Sequence, residues 1–169
     1  MVSVGEIVEA AVVLIDEVGI DALTMRTLAR SMGIGPMTLY RHVADKQALL
    51  GKIPDALLAG VCHEVMRKRS GISALRAIAF GVMDQLIEHP GVAKLFDDPE
   101  TGPNMEAAST HTVELLTSEG MKPSEARVAL RSVVAQVIGE SVTRHGDPEL
   151  DGVLLLLEGI QARLKKTSS

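Results

Sequence analysis

Few residues in this chain are able to do chemistry, and their spacing argues for binding rather than bond-making. The five histidines, His42, His63, His89, His111 and His145, are scattered, and Cys62 is the only cysteine. No His-Glu-x-x-His or Cys-x-x-Cys spacing occurs, so no metal-ligand set is spelled out. Cys62 and His63 are neighbours and on a helix would point about 100° apart, which separates them as joint ligands. Glycine-rich phosphate loops are absent, and no nucleophile stands in a recognisable pattern with a base. The sequence therefore calls for no cofactor or metal and gives no support to an enzyme. The cations are organised differently. Between Thr24 and Lys52 stand Arg26, Arg30, Arg41, Lys46 and Lys52 against one acid, Asp45, a local charge of +4. Guanidinium and ammonium groups so grouped neutralise and hydrogen-bond phosphates.

The whole chain carries −5, so the rest carries −9. That excludes a uniformly basic protein and leaves a basic patch on an acidic body, the footprint of a local nucleic-acid contact. Apolar residues make up 46% of the 169, enough for a sizeable core, and disorder is not expected. The aromatic residues are Tyr40, Phe80 and Phe96, so the core must be aliphatic. A single cysteine leaves no internal disulfide and fits a reducing compartment. Glu6, Glu9, Asp16 and Glu17 interrupt the first apolar residues, so the start reads as neither leader nor span. The longest apolar runs, Ala10 to Ile15 and Val153 to Leu157, are far short of a membrane helix. The expected location is cytoplasmic.

The elements that must position the cations read as helices throughout. A first helix is expected over Val4 to Val18, closed by Gly19. Thr24 caps a second, Met25 to Met32. Gly33-Ile34-Gly35 makes a turn, and Pro36 opens a third helix at a position where its missing N–H costs nothing. Asp45 caps a fourth, long helix with the stripe Leu49, Ile53, Leu57, Val61 and Val65. Further helices are expected over Ile72 to Glu88, briefly through Val92 to Phe96, then Met105 to Ser118, Ser124 to Arg144 and Glu149 to Lys166. Asp97 to Pro103 is the clearest loop. The expectation is an all-α chain of about nine helices. A helix-turn-helix domain takes residues 1–47, and a helical regulatory and dimerisation domain takes residues 48–169.

Two short helices joined by a glycine turn also occur in ordinary helical proteins, so the residues must sharpen the reading. Leu23 to Ala29, Met32-Gly33-Ile34, Thr38-Leu39-Tyr40-Arg41-His42-Val43 and Lys46 to Leu50 closely resemble the TetR family signature. The resemblance is specific over about Val4 to Leu58. It implies a repressor that is released from a palindromic operator by a small apolar effector. It also implies DNA contacts at Thr24, Arg26, Pro36, Met37, Thr38, Tyr40, Arg41, His42 and Lys46, with Leu39 and Val43 turned inward. Arg30 and Lys52 are read as solvated surface charges. Nothing before Arg26 is basic, which departs from relatives with a basic arm.

The second half carries less. Val153 to Leu157 is apolar all round, so a partner copy is the expected cover. The expected homodimer interface is Leu130, Val134, Val137, Ile138, Val142, Val153, Leu154, Leu156, Leu157 and Ile160, arranged as a four-helix bundle. Candidate effector contacts are Leu57, Val61, His63, Met66, Phe80, Met83, Leu86, His89, Phe96, Met105, His111 and Leu115. Most of these serve equally well as core, and the histidines as surface or capping residues. Pro54 is expected to kink the fourth helix where reader joins body, either as a hinge or as a static bend. The alternatives are a helical ligand-binding or adaptor protein without DNA binding, which leaves the +4 segment unexplained, and, behind it, a helical enzyme.

Overall fold

The computed structural model describes residues 2–96, 102–143 and 151–167, and among these it is all-α. Three helices form the head: α1 (Val4–Val18), α2 (Met25–Ser31) and α3 (Pro36–Tyr40). A strut of short pieces follows: α4 (Lys46–Leu50), α5 (Ile53–Leu57) and α6 (Ala59–Met66). The body is α7 (Gly71–Glu88), a 3-10 turn (Pro90–Phe96), α8 (Pro103–Ser118), α9 (Pro123–Thr143) and α10 (Asp151–Thr167).

Helix ends in the head are set by local chemistry. The Ser3 hydroxyl accepts from Glu6 N–H while the Glu6 carboxylate accepts from Ser3 N–H, a reciprocal capping box. Thr24 and Thr27 do the same for α2, at 3.0 and 2.9 Å. Gly33 takes φ 66°, and Ile34 N–H then closes onto the Ala29 carbonyl at 3.0 Å. That left-handed residue sets the angle at which α3 leaves α2.

The single fourth helix expected from the sequence is three pieces. Pro54 has no N–H to return to Leu50, and the chain tightens before it: Lys52 N–H bonds to Leu49 three residues back. A second break falls at Leu58 (φ −87°, ψ 3°). The apolar stripe survives both breaks, with Leu49, Ile53 and Val65 all fully buried.

One continuous core runs from head to body, from Ile7, Leu28 and Leu39 through Ile53 and Leu75 to Val133 and Leu157. Head and body also meet at a polar staple. Asp16 of α1 accepts from His89 Nδ1 at 2.7 Å and from Gly91 N–H at 3.2 Å. A Cβ at Gly91 would sit 2.9 Å from Asp16 Oδ1, so glycine permits that approach.

Candidate nucleic-acid interface and effector cavity

The residues expected to touch DNA lie on or beside α2, α3 and the start of α4, and all of them are exposed or half-buried. Five residues are too few for an independent helix, so α3 depends on its anchors. Leu39 is fully buried and Val43 nearly so, each contributing about 1.5–3 kcal/mol of burial. With that side inward, the opposite side of α3 faces solvent. Met37 is 73% exposed and Tyr40 48%, with Pro36 and Arg41 exposed and Thr38 and His42 half-buried. Arg26 is exposed on α2, and Arg41 has no ion-pair partner among the described residues. An exposed methionine, tyrosine and arginine on a rigid helix form an uncovered surface, able to meet base edges and phosphates.

Two of these residues also have local work. The Thr24 hydroxyl belongs to the α2 cap. Lys46 Nζ donates to the Ile20 carbonyl at 2.8 Å, tying the start of α4 to the end of α1. An ammonium has three donors, so two remain for a phosphate. Sequence spacing gives no sign of this tie, because the two residues are 26 apart.

Inside the body, an apolar cavity of about 70 Å³ lies between α6, α7, α8 and α9. Of the candidate contacts, Val61, Phe96 and Met105 line it. Met83 and Leu86 are core residues, and Leu57 and Leu115 are partly buried against the core. Met66 is 44% exposed, and Phe80 lines a surface groove between α6 and α7. None of the three candidate histidines lines the cavity. His63 is exposed on α6, His89 belongs to the Asp16 staple, and His111 Nε2 lies 3.2 Å from the Lys68 carbonyl. Among the described residues, Cys62 and Ser109 are the polar side chains that line the cavity. Burial, reinforced by the nearby Asp55 carboxylate, pushes the Cys62 thiol up to about 11, so it stays protonated near neutrality.

The expected dimer residues divide. Leu130, Val134 and Ile138 of α9 turn inward and line the cavity. Val137, Val153 and Leu157 are fully buried within one protomer and Ile160 nearly so, against α7 and α9. Leu154 and Leu156 are half-buried, and the Val142 side chain lies outside the described residues. The outward apolar residues are Val128, 50% exposed, and Leu155, 70% exposed. Beside Val128 runs a shallow trough of about 420 Å³ lined by Met121, Ala129, Leu156 and Ile160. Spacing four along α9 marks one face correctly, but it does not say what covers that face.

A helix-turn-helix head on a helical body with an apolar cavity defines the class as an all-α helix-turn-helix protein. Residues 7–53 match the family described as bacterial regulatory proteins, tetR family. An HTH-type transcriptional regulator of Saccharopolyspora erythraea is 33% identical over 163 residues, 94% of this chain and 69% of that protein. The class G tetracycline repressor of Vibrio anguillarum is 31% identical over 145 residues, 80% of this chain; the match spans 65% of the repressor. A TetR variant of Acinetobacter baumannii AYE, solved in complex with minocycline, has a TM-score of 0.80 at 25% identity, with both chains fully covered. The chain belongs to the TetR family.

Proposed function

We propose that this protein is a homodimeric, sequence-specific DNA-binding regulator, a repressor released from a palindromic operator when a small apolar effector enters the body. One observation carries the reading: α3 is anchored by Leu39 and Val43 and leaves Met37, Tyr40 and Arg41 exposed, as Arg26 is on α2. Among the described residues no ion pair engages Arg26 or Arg41, and Met37 is 73% exposed. Pro36 and Met37 suit thymine methyls, while Arg26, Arg41 and the free donors of Lys46 suit phosphates.

Dimerisation follows from the same geometry, since two recognition helices must reach successive major grooves about 34–36 Å apart. Val128, Leu155 and Leu156, with the trough beside them, are the self-complementary face we assign to the partner. The domain division is a head of residues 1–47 and a regulatory body of 48–169, with the strut crossing it. The cavity suits an uncharged apolar effector, because it presents one thiol and one hydroxyl and no ionised group. No helix among the described residues is long and apolar enough to cross a membrane. We place the protein in the cytoplasm, on the nucleoid when bound to DNA, and assign it no enzymatic activity.

An electrophoretic shift with the DNA upstream of its own gene tests the reading. The expected result is one discrete, salt-sensitive complex that survives excess nonspecific DNA. Binding that competitor DNA abolishes would overturn it.

A further inference from the structure

The chain carries a second cluster of cations that the DNA-reading head does not use. From His63 to Arg76 stand Arg67, Lys68, Arg69 and Arg76 against one acid, Glu64, a local charge of +3. Outside this stretch and the patch from Thr24 to Lys52 the chain carries −12. Gathering like charges costs self-repulsion, so a second basic cluster on so acidic a chain calls for a reason.

The fold puts this cluster far from the head. Helix α7 begins at Gly71, beside the cations, and ends at Glu88, next to the His89 that holds Asp16 of α1. Its 18 residues span about 27 Å. The turn that carries Arg67, Lys68 and Arg69 is pinned to α8 and to the residue after it. The Lys68 carbonyl lies 3.2 Å from His111 Nε2, and Gly71 N–H donates to Glu119 Oε1 at 2.8 Å. Glu119 thus occupies the positive end of α7, so the cations, and not a helix terminus, make the surface.

The cations are not equally engaged. Lys68 Nζ donates to Glu64 Oε1 at 2.7 Å, which neutralises the acid. Arg67, Arg69 and Arg76 are exposed and have no ion-pair partner among the described residues. Two adjoining surface grooves that share Glu64 and Lys68 connect Arg67 to Arg76. The other acid there is Asp84, about two turns along α7 from Arg76. Cations at the C-terminal end of α6 offset its dipole, but that effect fades within a turn and does not reach Arg76.

We propose that Arg67, Arg69 and Arg76 form a second, sequence-independent DNA site, which holds the phosphate backbone of a duplex other than the one read by α3. Guanidinium forks hydrogen-bond phosphate oxygens in pairs. The groove beside Arg67 is lined by Gly60, His63, Glu64, Arg67 and Lys68, with no apolar side chain among them. A protein partner would need an apolar centre to its contact, whereas a phosphate backbone does not. A regulator seated on its operator thereby tethers a second stretch of DNA. The site goes beyond the operator reading and is tested apart from it.

Protein saturated with excess operator duplex is titrated with a short labelled duplex of unrelated sequence, followed by anisotropy. Native protein is expected to bind the second duplex in the nonspecific range, about 10⁻⁴–10⁻⁶ M at physiological salt. Three phosphate contacts should make that affinity fall about fortyfold between 50 and 200 mM salt. The triple variant Arg67→Gln, Arg69→Gln, Arg76→Gln should bind the second duplex about tenfold or more weakly, with operator affinity kept within about twofold as the check that it folds. No second binding by saturated native protein, or equal binding by the triple variant, overturns the proposal. So does tighter binding of a glutamate-rich peptide than of the duplex, which would mark an acidic protein as the partner. If no operator emerges, the regulatory reading fails, and the unrelated duplex is titrated against free protein in an Arg41→Ala background. A loss on adding the three substitutions then upholds the second site, and no difference overturns it.

Discussion

Arg41→Ala should flatten the salt dependence of DNA binding more than it lowers affinity at any one salt concentration. Arg41 is exposed, follows α3 directly and has no ion-pair partner among the described residues, so its whole charge is available to a phosphate. Each neutralised phosphate contributes about 0.9 to the slope of log affinity against log salt. A dimer presents Arg41 twice, so the substitution should lower the slope by about 1.8. Between 50 and 200 mM salt, native protein should then lose roughly tenfold more affinity than the variant. Fluorescence anisotropy with a labelled fragment, titrated at four or five salt concentrations, reads the slope directly. Arg127→Ala, an exposed cation on α9, is the control and should leave it unchanged. Parallel lines for native and Arg41→Ala protein would refute the placement of α3 against the DNA backbone.

Other residues give independent tests. Lys46→Met keeps the aliphatic stem but loses the bond to Ile20, so it should cost about 1–3 kcal/mol of stability as well as weakening DNA binding; an unchanged thermal midpoint would count against that tie. Leu155→Glu should convert the dimer to a monomer at micromolar concentration by light scattering while leaving the helical signal intact, and a persistent dimer would contradict the assigned face. Cys62 should resist iodoacetamide at pH 8 in the folded protein and react once unfolded, whereas rapid reaction in the fold would contradict its burial. Its raised pKa means that the folded state holds the thiol proton more tightly. That contribution to stability is complete below the ordinary value of 9.0 and is lost as pH climbs through about 11, which alkaline unfolding curves of Cys62→Ala against native protein should show.

What sequence could reveal depended on how local the chemistry was. Thr24, Gly33 and Pro36 act within a turn of themselves, and both ends of α2 and the start of α3 lie within a residue of expectation. Leu39 and Val43 were legible as anchors because four-residue spacing on so short a helix leaves one inward side. The same spacing says less in α9. Leu130, Val134 and Ile138 form a true apolar stripe, but the cavity lies in front of it. Periodicity defines a face and is silent about its neighbour. The histidines show a related limit: imidazole chemistry suits a ligand, but spacing does not show that His89 and His111 meet groups 73 and 43 residues away. Asp55 escaped notice entirely. It accepts from Asn104 Nδ2 and the Met105 N–H, 49 and 50 residues downstream, at the start of a helix that Gly102 has no side chain to cap. Pro54 signalled a bend correctly, but the second break at Leu58 has no residue signature.

The central claim is that a pair of α3 helices reads a symmetric DNA site. Selection of bound fragments from the protein's own genome, followed by sequencing, tests it most directly. The account predicts an enriched inverted repeat whose half-sites are centred one or a small whole number of helical turns apart, about 10–10.5 base pairs per turn. It also predicts that Met37→Ala and Arg41→Ala deplete those fragments. Recovery of fragments with no shared motif, or of the same fragments with both substitutions as with native protein, would contradict it.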